Sequence, residues 1–353
     1  MNPVKAITGS LESKGIDGVL ISYITNVRYL TRFSGSSGCV LLTQKDRVFC
    51  TDPRYEEQAK QEVKGFEFLI EKEGRPKEII ERARALGIKT LGFESTASYD
   101  FYRALLRKGI KIKAVGNFIE DLRRVKDADE LVLIRKAILR AEKAFLRVKG
   151  VIGPGFTERQ VALRLEESLK KEGCYALPFD IIVASGANSA LPHAKPTEKK
   201  IKPGDLVVVD WGGEAGGYFS DMTRSFLVKG RDPSRKKEIY DTVLQANIRA
   251  IHAAAPGLSG RVVDRVARDS IKKAGYGEYF GHGTGHGVGL EVHELPRISR
   301  LGRESLKAGM VFTIEPGVYI PGIGGVRIED MVLVEKSGCR VLTSLPKGLE
   351  ILH

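Results

Sequence analysis

The chain has 353 residues, enough for two domains. Its 42% apolar and 29% charged content describes a globular protein with a sizeable core, and no apolar run approaches the roughly 20 residues that cross a bilayer. The net charge of +13 does not by itself indicate a nucleic-acid partner, because 57 basic residues are spread among 44 acidic ones with no aromatic-rich binding motif beside them.

The opening segment MNPVKAITGSLESKG lacks the apolar core of a secretory signal, so a cytoplasmic location is expected, with no membrane partner. Cys39, Cys50, Cys174 and Cys339 form no CxxC pair. They read as buried, reduced thiols rather than a disulfide framework or a zinc–thiolate site.

In chain order, strands are expected at 18–23, 39–44, 47–52, 66–71, 90–94 and 110–115. Helical spacing falls between them in DPRYEEQAKQEV, RPKEIIERARAL and SYDFYRALLRKG. This predicts an α/β domain over residues 1–124.

A long amphipathic helix follows, opened by a D-x-x-E capping box at Asp127 and Glu130. Leu131, Ile134, Ile138, Ala141, Phe145 and Val148 mark its apolar face. GPGF at 153–156 ends it, and Thr157 with Gln160 caps a helix over 158–172. Two more helices are expected at 234–255 and 260–274. The runs RRVKDADE and DPSRKKE read as solvated faces at helix starts. Strand-like runs fill the rest: DIIVAS, DLVVVDWG, GYFSDMTRSFLV, MVFTIEPGVYI and GVRIEDMVLVE. Helices grouped with antiparallel strands predict an α+β domain over 125–353.

The segment GHGTGHGVGLEVHE, residues 281–294, holds three of the six histidines: His282, His286 and His293. The first two are four apart, as in a helical HExxH zinc motif. The glycines between and around them argue against a helix, each costing about 1 kcal/mol relative to alanine, and the glutamate of the motif is missing. An extended or looped backbone is expected instead, one that another group approaches closely.

Four acids elsewhere sit in otherwise apolar strands. Asp210 ends LVVVD, and a carboxylate there costs several kcal/mol unless paired or metal-bound. Asp221 follows across the turn-rich GGEAGG, a hairpin signal that brings both carboxylates to one end of two paired strands. Glu315 follows MVFTI, and Glu329 lies two residues from Arg327, on the same strand face. Four carboxylates and one imidazole make a hard, oxygen-rich set whose charge suits two divalent cations, Mn²⁺, Co²⁺ or Fe²⁺ before a single structural zinc. Two such ions roughly 3.5–4 Å apart activate water for attack on a carbonyl carbon.

In their order, Asp210, Asp221, His286, Glu315 and Glu329 resemble the ligands of the pita-bread metallopeptidases, peptidase family M24. That family includes methionine aminopeptidase, aminopeptidase P and prolidase. VVDWGG, YFSDMTRSF, GMVFTIEPGVY and GVRIEDMVLV look like its signatures. YLTRFSGSSGCVLLT and FCTDPRYEEQA resemble the creatinase/prolidase N-terminal domain, and RRVKDADELVLIRKAI its interdomain junction. The implied fold is an α/β creatinase-like domain followed by an α+β pita-bread catalytic domain.

The resemblance implies roles. Asp210 would bind one metal, Asp221 and Glu329 would bridge both, and His286 and Glu315 would bind the second. Mn²⁺ or Co²⁺ are the expected ions, with Fe²⁺ or Zn²⁺ as alternatives. Glu315 would carry the proton from the attacking water to the leaving nitrogen. His293 would steady the tetrahedral oxyanion, His193 in SALPHAKPTE would hold the scissile Xaa-Pro bond, and His282 would be a further active-site histidine. Arg327 and Thr223 would orient the ligand strands. The glycines would let the chain pass close to the ions.

Methionine aminopeptidase normally lacks the N-terminal domain, and creatinase lacks the metal set. The expected activity is that of an Xaa-Pro dipeptidase (prolidase) on small Xaa-Pro peptides. Xaa-Pro aminopeptidase is the alternative, and a non-hydrolytic peptide-binding module the remote one. Arg297, four residues after His293, would pair with the proline carboxylate of a dipeptide, a surface arginine being the alternative. Phe179 in ALPFDII is a candidate for an apolar pocket at the first substrate residue, core packing being the alternative. A homodimer is implied, with the N-terminal domains helping to close the site.

Overall fold

The computed structural model describes residues 3–106, 109–231 and 233–353. The first two residues, Arg107 and Lys108 of the third expected helix, and Asp232 of DPSRKKE lie outside them. The chain divides into two compact units, Met1–Arg123 and Arg124–His353.

The first unit runs α1 (Pro3–Thr8), β1 (Gly18–Ile21), α2 (Ile24–Thr31), β2 (Cys39–Thr43), β3 (Arg47–Thr51), α3 (Glu56–Glu62), β4 (Glu67–Ile70), α4 (Arg75–Ala85), β5 (Thr90–Phe93), α5 (Tyr99–Leu106), β6 (Lys111–Ala114) and α6 (Glu120–Arg123). Its strands form one sheet in the order β4-β3-β2-β1-β5-β6. Only β2 runs against its neighbours. β1 and β2 are buried along their whole length. Alternate residues feed two separate cores: Val19, Ile21, Val40 and Leu42 pack on one face, Leu20, Cys39 and Leu41 on the other. The six strands and the helices α3, α4 and α5 match their expected places. The short helices α1 and α6 carried too few turns for a periodic signal, and α2, eight residues long, was not expected.

RRVKDADE is only in part a solvated face: Asp127, Ala128 and Asp129 are exposed, but three of its charged residues are buried. Arg123 and Lys126 are 2% and 4% exposed, and Glu130 is 2% exposed. Arg123 donates to Asn26 Oδ1 at 2.9 Å, and Lys126 Nζ meets Glu294 at 2.5 Å. A buried charge needs a partner from elsewhere in the chain, which a local charge pattern does not reveal.

The second unit opens with α7 (Ala128–Val148) and α8 (Glu158–Lys171), each starting in the expected capping box. Then come β7 (Ile182–Ser185), β8 (Leu206–Trp211), β9 (Glu214–Ala215), β10 (Tyr218–Phe219), β11 (Met222–Val228), α9 (Ser234–Ala253), α10 (Gly260–Lys273), β12 (Gly285–Gly287), β13 (Glu294–Ile298), β14 (Val311–Ile314), β15 (Gly317–Ile320), β16 (Gly324–Arg327), β17 (Asp330–Glu335), β18 (Gly338–Val341) and β19 (Ile351–Leu352). One sheet has the order β19-β11-β8-β7, a second β13-β12-β14-β17-β18, and β15–β16 and β9–β10 are separate hairpins. Val243, Ala246 and Ala250 of α9 and Val263, Ala267 and Ile271 of α10 share a core with Phe312, Ile314, Val318 and Val332 of the strands. On α7, Phe145 stacks on Trp211 with ring centroids 4.3 Å apart, and Trp211 Nε1 donates to Ala141 O at 3.0 Å.

Three runs expected as continuous strands are each broken in two. GYFSDMTRSFLV breaks at Ser220–Asp221, MVFTIEPGVYI at Glu315–Pro316, and GVRIEDMVLVE at Ile328–Glu329. In each case an acid sits in the break. Two backbone N–H groups there leave their own ladder and bond elsewhere: Glu315 N to Thr284 O, just before β12, at 2.8 Å, and Glu329 N to Thr223 O of β11 at 3.2 Å. Hydrophobic alternation runs straight through such a crossing, so the pattern alone does not show it.

Candidate metal centre

Five elements bring the acids and histidines together. Asp210 lies near the end of β8, opposite Thr223 of β11 in the antiparallel register. Asp221 immediately precedes β11, after the β9–β10 turn, so the expected hairpin does put both acids at one end of a strand pair. Glu315 and Glu329 occupy the two breaks where β14–β17 gives way to β15–β16. His286 is the middle residue of β12, a short strand rather than a helix.

Gly285 and Gly287 of this segment are required by the neighbouring strands. A Cβ on Gly285 would stand 1.9 Å from Thr313 O, and one on Gly287 would stand 2.1 Å from Leu295 O. β12 is squeezed between β13 and β14, and only glycine fits there.

His286 Nε2 lies 3.2 Å from Glu315 Oε1 and 3.6 Å from Asp221 Oδ2. Asp221, His286 and Glu329 each offer a ligand atom within 4.8 Å of the others. Arg327 Nη2 donates to Asp210 Oδ2 at 2.6 Å, and its Nε to Thr223 Oγ1 at 3.1 Å. Thr223 Oγ1 in turn donates to Glu329 Oε2 at 2.7 Å. Thr313 Oγ1 accepts from His286 N at 3.1 Å and donates to Glu315 Oε1 at 3.2 Å.

The charges do not balance within the protein. Burial pushes the Asp221 carboxyl well up, and the Asp210 charge adds to it. Burial does the same to Glu329, with Asp221 and Glu315 adding. Asp210 is raised by burial against the pull of Arg327. Glu315 goes the other way: burial opposes its ionisation, but His286 holds it at about 2. Burial disfavours the His286 cation in turn, and Glu315 still lifts it to about 9. Asp210 Oδ1 and Glu329 Oε1 are buried with no protein partner. Orphaned oxygens, mutual repulsion and a hard donor set fit divalent metal ions, which would satisfy all three at once.

These residues line a cavity of about 440 Å³ with Phe179, Ile181, Ile182, His193, Lys195, His282 and His293. His193 and His293 are exposed at its wall. The His293 ring stands edge-on to His286 with centroids 4.3 Å apart. His282 is held on both nitrogens: Nδ1 at 2.7 Å from Gly283 O and Nε2 at 3.0 Å from Tyr319 Oη. Gly283 O can only accept, so Nδ1 carries a proton, and in the neutral ring Nε2 accepts from the Tyr319 hydroxyl, whose oxygen also accepts from Arg327 Nη1 at 2.8 Å. Burial, which lowers the His282 pKa, acts in the same sense.

Arg297 pairs with His286 across β12–β13, so both side chains leave the same sheet face. It is exposed and is not among the residues lining the cavity. Tyr319 and Thr313 escaped the sequence reading. Thr313 was within reach of it, two residues before Glu315 on one strand. Tyr319 was not, because its partners are distant in sequence.

Residues 132–336 match metallopeptidase family M24, and residues 3–125 match the creatinase/prolidase N-terminal domain. The chain is 43% identical over 350 residues to an Xaa-Pro dipeptidase of Pyrococcus horikoshii, covering 98% of each. Its fold superposes on an Xaa-Pro dipeptidase from Bacillus anthracis with a TM-score of 0.95 at 41% identity, over 99% of both chains. It also superposes on an X-Pro aminopeptidase from Thermotoga maritima with a TM-score of 0.89 at 38% identity, over 96% of this chain and 98% of that one.

Proposed function

The chain belongs to metallopeptidase family M24, with a creatinase/prolidase N-terminal domain and a pita-bread catalytic domain, and from that membership we propose that it is an Xaa-Pro dipeptidase. The observation that carries this reading is the convergence of Asp221, His286 and Glu329 beside Asp210 and Glu315 on one cavity wall. We assign these five side chains as ligands of two divalent ions, Mn²⁺ or Co²⁺ in the first instance. When bound, the ions supply Lewis acidity toward the substrate carbonyl and lower the pKa of water.

The protein's own groups do the rest. Glu315, whose Oε1 lies 3.2 Å from His286 Nε2 on the cavity wall, takes the proton of the attacking water and returns it to the proline nitrogen. His293 and His193, exposed at the cavity wall, reach the substrate: His293 meets the developing oxyanion and His193 the Xaa-Pro bond. His282 has no free nitrogen and serves to hold the wall. Arg327 fixes Asp210, and Thr223 fixes Glu329. Phe179, Ile181 and Ile182 give the first substrate residue an apolar surface.

Two cations support a dipeptide over a longer chain. Lys195 lines the cavity two residues after His193, and Arg297 leaves the sheet face of His286. Lys195 is placed to meet a free proline carboxylate, which a longer substrate lacks, and Arg297, outside the cavity lining, would reach it only by extending from the His286 face. The likeness to the Thermotoga maritima aminopeptidase supports the second reading, removal of Xaa from longer Xaa-Pro peptides. Ala-Pro, Met-Pro, Ala-Pro-Ala and Ala-Ala, assayed with metal content measured on the same sample, separate the two. Hydrolysis of both dipeptides with Ala-Ala untouched supports the dipeptidase, and activity confined to the tripeptide replaces it with the aminopeptidase. The four free thiols suit a reducing compartment such as the cytoplasm. A homodimer is part of this reading, and sedimentation tests it.

A further inference from the structure

The loop that delivers His193 to the cavity begins and ends on one carboxylate. Glu158, the first residue of α8, is 0% exposed. Its Oε1 accepts from Ser185 N at 2.7 Å and Ser185 Oγ at 2.8 Å. Its Oε2 accepts from Thr197 N at 3.1 Å and Thr197 Oγ1 at 2.6 Å. Asn188 Nδ2 stands 3.1 Å from each oxygen. Between Ser185 and Thr197 lie Pro192, His193, Ala194, Lys195 and Pro196, all of which line the cavity.

A buried carboxylate at a helix start is ordinarily a cap, but that duty is already taken. Thr157 accepts from Gln160 N at 3.2 Å, and Gln160 returns a bond to Thr157 N at 3.0 Å. The Glu158 oxygens therefore face away from the helix and are spent on the two ends of a loop. Burying an ionised group costs several kcal/mol unless it is fully bonded, so these donors are held tightly rather than swapped with water. The middle of the loop is pinned separately, by Arg327 Nη1 on Pro192 O at 3.0 Å and by Gly325 N on Ser189 Oγ at 2.8 Å.

We propose that Glu158 is a positioning residue that sets His193 at the cavity by clasping both ends of its loop. This rests on the reading of the site as an Xaa-Pro peptidase. Glu158 touches no substrate. Its effect passes through the loop, where a displacement of about 1 Å at a substrate-holding group can cost about 100-fold in rate.

The test is a double-mutant cycle on the full-length, metal-loaded enzyme. Glu158→Gln keeps the shape but turns one acceptor oxygen into a donor that confronts the Thr197 or Ser185 donors. It should lower kcat/KM on Ala-Pro by about 10- to 100-fold with metal content unchanged. In a His193→Ala background the same change should cost less than about threefold, because the two act as one unit. Additive losses, or an unchanged rate in folded Glu158→Gln, overturn the proposal. Thr197→Val, which keeps the carboxylate and removes one hydroxyl, serves if Glu158→Gln does not fold, and should show the same non-additivity at smaller amplitude. Hydrogen exchange gives an arm that does not depend on turnover: amides of 186–197 should exchange at least about tenfold faster in the variant, with β8 and β11 unchanged. Unchanged exchange in the loop overturns the clasp. If the wild type cleaves no Xaa-Pro peptide, the functional reading fails, and the exchange result alone decides whether Glu158 holds the loop.

Discussion

Glu315 stands directly opposite Glu329. Ile314 pairs with Asp330 on one side of the crossing and Gly317 with Arg327 on the other, in a single register that carries through the interruption. Two like charges facing each other across paired strands destabilise a sheet. Here the backbone has also given up ladder bonds to place them there. The arrangement is coherent once cations lie between the acids.

Glu329→Gln should affect stability in opposite directions with and without metal. In chelator the variant relieves a repulsion and should unfold about 1–3 kcal/mol later than wild type. With saturating Mn²⁺ it has lost a ligand and should unfold earlier. Thermal unfolding in both conditions checks this, and the same sign in both contradicts it.

Arg327 joins Asp210, Thr223, Tyr319 and the Pro192 carbonyl, one nitrogen fork serving four partners. Lysine offers a single point charge and cannot serve them all. Arg327→Lys should lower kcat by about 10- to 100-fold and weaken metal affinity, read by activity and metal titration. Wild-type behaviour in both would remove Arg327 from the site's support.

Arg297→Ala tests substrate length. It should reduce kcat/KM for Ala-Pro by about 10- to 100-fold, from the loss of a charge-assisted bond, and change Ala-Pro-Ala by less than about threefold. Equal losses on both substrates would leave Arg297 without a role at the carboxylate and point to Lys195.

Stability at high pH should carry a signature of Tyr240. Burial holds its hydroxyl at about 12, against an ordinary value of about 10. Between these values the unfolded chain releases a proton that the folded chain keeps, so stability falls as pH rises through that window. The loss approaches about 2–3 kcal/mol at the top of it. Tyr240→Phe should flatten this part of the stability profile between pH 10 and 12, measured by urea unfolding. An unchanged slope would contradict the assignment.

Much of this was legible in the residues. Capping boxes at Asp127 and Thr157 act over four residues, and both appear where the sequence places them. Asp210 and Asp221 meet because a turn-rich hairpin joins their strands, which is also local. What escaped was non-local. The breaks at Asp221, Glu315 and Glu329 depend on strands leaving one sheet for another, and apolar alternation continues through them. Lys126 reads as a surface charge until Glu294 is found beside it. The two glycines flanking His286 answer to the carbonyls of Thr313 and Leu295, which are distant in sequence.

The most direct measurement is a titration of metal against Xaa-Pro hydrolysis on one preparation, with the ions counted by mass spectrometry. The account predicts that chelated protein is inactive on Ala-Pro, that activity returns as two divalent ions bind per chain, and that Ala-Ala stays uncleaved. Full activity with no metal bound, or a fully loaded chain inert toward every proline-containing peptide, would contradict it.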